Sequence, residues 1–230
     1  MVMDFPDLAG RLAVVADRVA HHQAIGGWTH PVRIVAVTKT HGPEAVKAAV
    51  SAGIRDVGEN RVQEALAKQA ECVGVGVEWH LIGSLQRNKA KHAVGRFALI
   101  HSVDRLELAL ELNHRQMANR QQPILVEVNC SGEPQKGGVE PEALPLLLDA
   151  IRALPGLELR GLMTMAALTE DQRVQRHAFG ALCRLRDRMR SAGHPVTELS
   201  MGMSADYTVA VEEGATMLRL GTLLFGERSP

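Results

Sequence analysis

Lys39 is a residue whose type and position predict chemistry, because it ends a segment that otherwise has the pattern of a buried strand. The segment is Arg-Ile-Val-Ala-Val-Thr-Lys, residues 33–39. Alternation along a strand places Lys39 on the same face as Val35 and Val37, and that face is apolar. Burial disfavours the charged form of an amine and lowers its pKa, so a neutral Lys39 would be a nucleophile that condenses with an aldehyde or ketone. The segment on its own also allows a simpler outcome, in which Lys39 ends the strand and reaches into solvent.

Arg219 is the second candidate, because it interrupts an apolar strand pattern near the C-terminus. In Met-Leu-Arg-Leu, residues 217–220, alternation puts Arg219 on the face opposite to the leucines. A guanidinium inside a sheet protein stays charged and needs a ligand or a partner. Its charge would further lower the pKa of Lys39 if the two strands were neighbours. The alternative is an internal salt bridge with Glu127 or Glu59.

Small and hydroxyl-bearing residues follow the last two predicted strands. They are Ser-Met-Gly-Met-Ser, residues 200–204, which lead into a helix pattern, and Gly221-Thr222. Many α/β barrels hold phosphate with the loops after strands seven and eight and a nearby helix N-terminus. Each stretch also has a structural alternative, since Ser204 can cap a helix and Gly221 can permit a bulge.

Together, an amine, a phosphate-binding pair of loops and an arginine fit pyridoxal 5'-phosphate. The aldehyde would lie on Lys39, the phosphate on the last two loops, and the pyridine nitrogen opposite Arg219.

The elements that must position these residues alternate regularly along the chain. The predicted strands are 33–39, 56–60, 78–83, 99–104, 123–129, 157–165, 198–202 and 217–225. The predicted helices are 8–22, 43–52, 61–71, 85–94, 105–120, 142–154, 171–192 and 205–214. Strands joined by single helices require parallel pairing with right-handed crossovers, and eight such units close into a barrel.

The predicted fold is therefore a single α/β domain over residues 1–230, a TIM (β/α)8-type barrel. Its extra N-terminal helix is expected to cover the gap left by a missing eighth outer helix. Closure places the last strand beside the first and so makes Arg219 a neighbour of Lys39. An open doubly wound sheet is the alternative.

The charge composition argues against some classes of binding partner. Twenty-six basic residues balance twenty-six acidic ones and the pI is about 7.2, which argues against nucleic acid and against an anionic membrane. The three cysteines, Cys72, Cys130 and Cys183, are widely spaced and lack metal-ligand grouping, as in a reduced cytosolic protein. We find no leader pattern and no apolar stretch long enough for a bilayer, so the sequence predicts a cytoplasmic protein without a metal site.

Several stretches resemble the pyridoxal phosphate homeostasis protein family, in order and over almost the whole chain. They are Val-Ala-Val-Thr-Lys-Thr-His (35–41), Gly-Glu-Asn-Arg-Val-Gln-Glu (58–64), Trp-His-Leu-Ile-Gly-Ser-Leu-Gln-Arg-Asn-Lys (79–89), Val-Asn-Cys-Ser-Gly-Glu (128–133), Gly-Leu-Met-Thr-Met (161–165), Leu-Ser-Met-Gly-Met-Ser-Ala-Asp (199–206), Arg-Leu-Gly-Thr (219–222) and Phe-Gly-Glu-Arg (225–228).

This resemblance implies a barrel like the N-terminal domain of bacterial alanine racemases, without their C-terminal β-domain. It implies a Schiff base between the cofactor and Lys39. The further cofactor contacts that it implies are Asn60, Ser200, Arg219, Gly221 and Thr222. Two departures, Cys130 for a frequent threonine and Gly138 for a larger residue, lie in the loop after the fifth strand.

The predicted role is non-catalytic. An arginine beside the pyridine nitrogen disfavours its protonation and weakens the ring as an electron sink. Racemisation needs a base on each face of the substrate, and related racemases take one from the β-domain that this sequence does not contain. Tyr207 and the histidines His41, His80 and His101 are weak candidates for that base, because a histidine near a strand end is more often structural.

We therefore expect a monomer that holds pyridoxal phosphate on Lys39, with no residue assigned a catalytic role. Control of the intracellular cofactor pool and delivery to apo-enzymes are implied by the family resemblance. The alternatives are a weak racemase dependent on the cofactor and a cofactor-free Schiff-base aldolase. A protein-interaction module is a third class, with the basic stretch 86–92 as its docking surface, although such a helix face is usually only solvated.

Overall fold

The computed structural model describes residues 5–116, 120–133 and 135–226. Helices and strands alternate along these ranges, beginning with a helix. The strands are β1 Arg33–Val37, β2 Asp56–Glu59, β3 Glu78–Leu81, β4 Leu99–Val103, β5 Gln122–Glu127, β6 Leu157–Met163, β7 Glu198–Met203 and β8 Met217–Leu220. The helices are α1 Leu8–Gly26, α2 Pro43–Ser51, α3 Val62–Glu71, α4 Ala90–Ala93, α5 Leu106–Arg115, α6 Leu144–Arg152, α7 Gln172–Ser191, α8 Tyr207–Glu212 and α9 Thr222–Phe225, with a 3-10 helix at Arg87–Lys89.

The strands form a closed parallel barrel in sequence order. Closure is made by β1, which pairs with β2 on one side and with β8 on the other; across the second seam Val35 lies opposite Arg219. The predicted TIM barrel is confirmed, and the open sheet is wrong. The strand that leads to Lys39 and the strand that carries Arg219 are therefore neighbours.

Alternation divides the strand residues between two apolar layers. The inner layer fills the barrel with Val35, Leu99, Leu125, Met163 and Met217, all buried. The outer layer packs against the helices and includes the intervening positions of the same strands, such as Ala36, Ile124, Val126, Leu218 and Leu220. Arg219 lies between outward-facing leucines and so points into the barrel, as its pattern predicts.

The N-terminal helix covers the gap beside the last strand. After β8 the residues that the structure describes form only the one-turn helix α9, and α1 packs on α8 and α9. The Nε1 of Trp28, just after α1, donates to the carbonyl of Glu212 at 2.8 Å, and His22 lies 2.6 Å from a carboxylate oxygen of Glu212. Arg11 donates to the carbonyl of Leu224 at 3.3 Å. The predicted covering role of this helix is confirmed.

Two predicted elements are wrong in part. The strand predicted over 217–225 ends at Leu220, because the amides of Leu224 and Phe225 both bond the carbonyl of Gly221 and close a helical turn. The helix predicted over 85–94 is reduced to the 3-10 helix and α4.

The helix predicted over 105–120 is α5, which ends at Arg115. Residues 117–119 of that prediction, and residues 227–228 of the last family motif, lie outside the described residues. Within the described ranges, the helices are all too short or too polar to cross a membrane.

Candidate functional site

A cavity of about 510 Å³ opens at the carboxyl ends of the strands, and we call it the cup. Five of the six predicted site residues line it: Lys39, Asn60, Arg219, Gly221 and Thr222. Two larger clefts, of about 660 and 720 Å³, lie at the start of β6 and β7 and beside α1. Neither contains the lysine or the barrel arginine, so the chemistry predicted from the sequence converges on the cup.

The backbone between the end of β1 and Lys39 is held by buried hydrogen bonds. We call the group of Thr38, Glu59 and Lys68 the Thr38 clamp. Lys68 is buried on α3 and donates to the Thr38 carbonyl at 2.8 Å and to a carboxylate oxygen of Glu59 at 2.5 Å. The Thr38 hydroxyl donates to the same oxygen at 2.6 Å. Because every partner is buried, the clamp fixes the position from which Lys39 enters the cup.

The turn after Lys39 is strained. Thr40 has a φ of 68°, in the left-handed region, which costs a residue with a Cβ about 1–2 kcal/mol. The lysine itself is half-buried, between the clamp on one side and the open cup on the other. The alternative allowed by the sequence, in which Lys39 ends the strand and reaches only into solvent, does not describe this position.

Arg219 is held by neutral groups. Its guanidinium donates to the hydroxyl of Ser200 at 2.7 Å and to the carbonyl of Thr164 at 3.0 Å. The salt bridge that the sequence left open, to Glu127 or Glu59, is not among its contacts in the described residues. Glu59 faces outward and pairs with Lys68 instead.

The Arg219 guanidinium stays charged despite its burial. Burial lowers the pKa of Arg219 to about 10, and the charges of Asp206 and Glu127 oppose that change. A pKa of about 10 keeps the group protonated at neutral pH, so the cup contains a permanent cation that can only donate hydrogen bonds.

Glu127 brings a titratable carboxyl to the same cavity from the end of β5. Burial, reinforced by the charge of Asp104, raises the pKa of Glu127 to about 7, and Arg219 acts in the opposite direction. The cup therefore contains one fixed cation and one carboxyl that changes charge near neutrality. Sequence analysis considered Glu127 only as a partner of Arg219.

Two backbone amides converge on one oxygen where the last two loops meet. The hydroxyl of Ser204 accepts from the amides of Gly221 and Leu223, both at 3.3 Å. The loop that carries Ser204 is fixed by Asp206, which accepts from the amide of Met203 at 2.6 Å. This arrangement shows that two amide donors already converge on one acceptor oxygen here, as a phosphate group requires.

Gly221 leaves room beside these amides. A Cβ added to it would lie no closer than 3.5 Å to its nearest neighbour, the carbonyl oxygen of Val37. Protein packing alone does not require a glycine at this position, whereas close approach of a ligand to the backbone would.

Ser200, the sixth predicted site residue, lies below the cup and not in its lining. It is fully buried and joins Arg219 to His101, whose Nδ1 is 2.9 Å from the hydroxyl. In this structure Ser200 therefore acts on the cup through Arg219.

Sequence reasoning did not assign Ile82, Gly83, Ser84 and Met165 to the wall of the cup, and it included Met203 only as part of the predicted phosphate loop 200–204. These residues lie at or just after strand ends, which was the available signal.

The groups weighed as a second base lie apart from the cup lining. His80 and His101 are buried in the barrel and bond each other at 2.9 Å, which agrees with a structural role. Tyr207 is also buried. His41 lies against the rings of Phe5 and Phe225. Among the described residues we find no cluster of three or more His, Cys, Asp or Glu side chains suited to a metal ion.

Comparison with known proteins identifies relatives over nearly the whole chain. The family model described as "Alanine racemase, N-terminal domain" matches residues 16–229. The pyridoxal phosphate homeostasis protein of Aquifex aeolicus is 42% identical over 221 residues, covering 95% of this chain and 97% of the relative. The protein of the same name from Pseudomonas aeruginosa is 43% identical over 223 residues, covering 96% of each.

Comparison with solved structures identifies similar proteins. PipY of Synechococcus elongatus, determined with pyridoxal phosphate (PLP) bound, superposes with a TM-score of 0.81 at 36% identity and covers 95% of this chain and 100% of that one. An alanine racemase of Clostridium difficile superposes with a TM-score of 0.72 at 16% identity, covering 93% of this chain and 57% of that one. The second likeness concerns the fold alone.

Proposed function

The chain belongs to the pyridoxal phosphate homeostasis protein family, and on that premise we propose that it binds pyridoxal 5'-phosphate on Lys39. We further propose that it controls the cofactor pool of the cytoplasm without being an enzyme. The observation that carries the proposal is the cup, in which a lysine, a buried arginine and an amide-lined loop pair face one cavity.

The residues fit this cofactor at each end. Lys39 supplies the amine for a Schiff base with the aldehyde, and its backbone is fixed by the Thr38 clamp. Ser204, Thr222 and the nearby amides supply donors for the phosphate. Arg219 supplies a donor for the pyridine nitrogen. Asn60 also lines the cup and is proposed as a contact, whereas Ser200 acts by holding Arg219.

A carrier role is supported by the chemistry of Arg219. When bound in an enzyme, pyridoxal phosphate stabilises a carbanion by drawing electrons into its ring. A guanidinium can only donate a hydrogen bond, so Arg219 favours the unprotonated pyridine nitrogen and restrains that chemistry. The described lining residues supply Lys39 and the Glu127 carboxyl as proton carriers, and they include no histidine or tyrosine.

A spectroscopic comparison tests the binding. Purified protein incubated with pyridoxal phosphate is expected to be yellow, with an absorption band that is lost in Lys39→Ala. The matched control is Lys47→Ala, a lysine of α2 that does not line the cup. A colourless wild-type protein, or a band unchanged in Lys39→Ala, would refute the proposal.

A second measurement separates carrier from enzyme. The loaded protein is incubated with a panel of amino acids, and racemisation and transamination are followed. We expect rates no higher than those of free pyridoxal phosphate. Turnover well above that level would support the second candidate, a weak racemase, which is favoured only by the shared barrel and by Glu127.

Delivery is the remaining part of the proposal. The recipient partners are apo-enzymes that require pyridoxal phosphate. A transfer assay compares activation of such an apo-enzyme by the loaded protein and by an equal amount of free cofactor. Faster activation by the loaded protein supports delivery, and equal or slower activation limits the role to storage.

A further inference from the structure

A chain of hydrogen bonds crosses the barrel beneath the cup and ends at Arg219. Asp56 Oδ1 lies 2.9 Å from His80 Nε2, and His80 Nδ1 lies 2.9 Å from His101 Nε2. The chain continues from His101 Nδ1 to the Ser200 hydroxyl at 2.9 Å and from there to Arg219 at 2.7 Å. We call these five residues the barrel relay.

The relay connects the two ends of the barrel. Asp56 is the first residue of β2, at the amino end of the sheet, and its side chain is partly exposed. The three inner members are buried, with exposed fractions of 1% for His80 and 0% for His101 and Ser200. Inner polar groups at that depth must satisfy one another, because water does not reach them.

The direction of the relay is set from the Arg219 end. A guanidinium has donors only, so the Ser200 hydroxyl accepts from Arg219 and keeps its own proton for a second bond. The next atom along is Nδ1 of His101, which must then accept. Burial, with the positive charges of Arg219 and Arg33, holds the pKa of His101 well below its usual value. His101 is therefore neutral and carries its single proton on Nε2.

The Asp56 end agrees with this direction. Burial raises the pKa of Asp56, but the hydrogen bond from His80 and the nearby charge of Arg33 act in the opposite direction, and the pKa lies below its usual value. An ionised carboxylate only accepts, so His80 donates from Nε2. Because His101 donates from Nε2, His80 accepts on Nδ1 and carries its single proton on Nε2. The two ends of the relay are thus consistent with one proton on Nε2 of each histidine.

We propose that His80 and His101 are positioning residues that, with Ser200, hold the Arg219 guanidinium in one orientation toward the cup. Asp56 anchors the far end of the relay as the acceptor for His80. This inference rests on the proposed function, because Arg219 is a cofactor contact there. The Thr164 carbonyl fixes a second nitrogen of the guanidinium, and the remaining donors are directed by these two bonds.

The first test reads the proton positions in protein free of cofactor. The protein is labelled with ¹⁵N-histidine, and the two side chains are assigned by their absence in His80→Gln and His101→Gln. At neutral pH, both are expected to carry the proton on Nε2 and none on Nδ1. A proton on Nδ1 of either ring would contradict the direction of the relay.

The second test compares two substitutions at one site. Glutamine at His101 keeps an oxygen to accept from Ser200 and an amide to donate to His80, whereas leucine keeps neither. In wild type and in His101→Gln, we expect the Arg219 guanidinium to rotate slowly and to give separately resolved NMR signals. In His101→Leu, we expect faster rotation to merge these signals. Ser200→Ala breaks the same link with the loss of one atom, and is read in the same way if His101→Leu does not fold.

The loaded protein gives an independent reading. Loss of one orienting bond is expected to speed release of pyridoxal phosphate about tenfold in His101→Leu, and His101→Gln is expected to restore the wild-type rate. Unchanged Arg219 signals and unchanged release in both His101→Leu and Ser200→Ala would overturn the inference while leaving the proposed function intact. Failure of the wild type to bind the cofactor would instead refute the proposed function, and the cofactor-free readings would still decide the relay.

Discussion

Replacement of Lys68 by methionine tests the Thr38 clamp, which joins α3 to the ends of β1 and β2. The exposed fractions are 7% for Lys68 and 0% for Glu59. Methionine retains an apolar stem of similar length but removes the ammonium that bonds Glu59 and the Thr38 carbonyl. The Glu59 carboxylate would then remain buried, with the Thr38 hydroxyl as its donor.

The expected magnitude follows from that unpaired charge. Removal of one partner of a buried ion pair costs about 3–5 kcal/mol, out of a total stability of about 5–15 kcal/mol. For a chain of this size, each kcal/mol lowers the melting temperature by about 2–4 °C, so Lys68→Met should lower it by about 10 °C.

Equilibrium unfolding in guanidinium chloride measures the effect. The matched control is Glu64→Gln, on the same helix as Lys68, which breaks an exposed ion pair with Arg61 and should change stability by less than about 1 kcal/mol. The double variant Lys68→Met with Glu59→Gln removes both charges, so we expect it to recover about half or more of the loss.

A Lys68→Met protein within about 1 kcal/mol of wild type would refute this reasoning. So would a double variant less stable than Lys68→Met, because the cost would then not come from the uncompensated carboxylate of Glu59.

Three further predictions concern charge, thiols and packing. The raised pKa of Glu127, about 7 against 4.5, means that the folded protein free of cofactor retains a proton that the unfolded chain releases. Its stability should therefore fall by about 3 kcal/mol as pH rises from about 5 to 8, and a urea-unfolding series should show a smaller fall in Glu127→Gln. Burial raises the pKa of Cys130 to about 11, so iodoacetamide at neutral pH should label this thiol only after unfolding, and fast labelling of the folded protein would contradict its burial. A Cβ at Gly161 would lie 2.0 Å from the Glu198 carbonyl, so Gly161→Ala should lower the free energy of unfolding by about 3 kcal/mol. Gly10 lies on α1 with open space around it, so Gly10→Ala should raise that free energy by about 0.5–1 kcal/mol. Equal effects of the two substitutions in thermal melts would contradict the packing.

The barrel could be predicted from the sequence because its strands and helices have distinct periods and alternate without interruption. Strand alternation also placed Arg219 inside the barrel, since the leucines on either side required the outer layer. The end of β8 could not be predicted in this way. Leu223, Leu224 and Phe225 continue an apolar run, and only the hydrogen bonds to Gly221 show that the chain has turned into a helix.

Side-chain contacts between elements that are distant in sequence could not be predicted from sequence patterns. Glu59 was weighed as a partner of Arg219, but it follows the outward-facing Val57 by two positions and so meets Lys68 on α3. The contact of His101 with Ser200 joins β4 to β7 across the interior. Such contacts depend on the diameter and the stagger of the closed sheet, which no local pattern encodes.

The attachment site of the cofactor tests the central claim most directly. Protein loaded with pyridoxal phosphate is reduced with borohydride, digested and mapped by mass spectrometry. We predict that the added mass lies on Lys39 and is absent from the digest of Lys39→Ala. A stoichiometric label on another lysine, or no label on a protein that retains the cofactor, would contradict the assignment of the cup as the binding site.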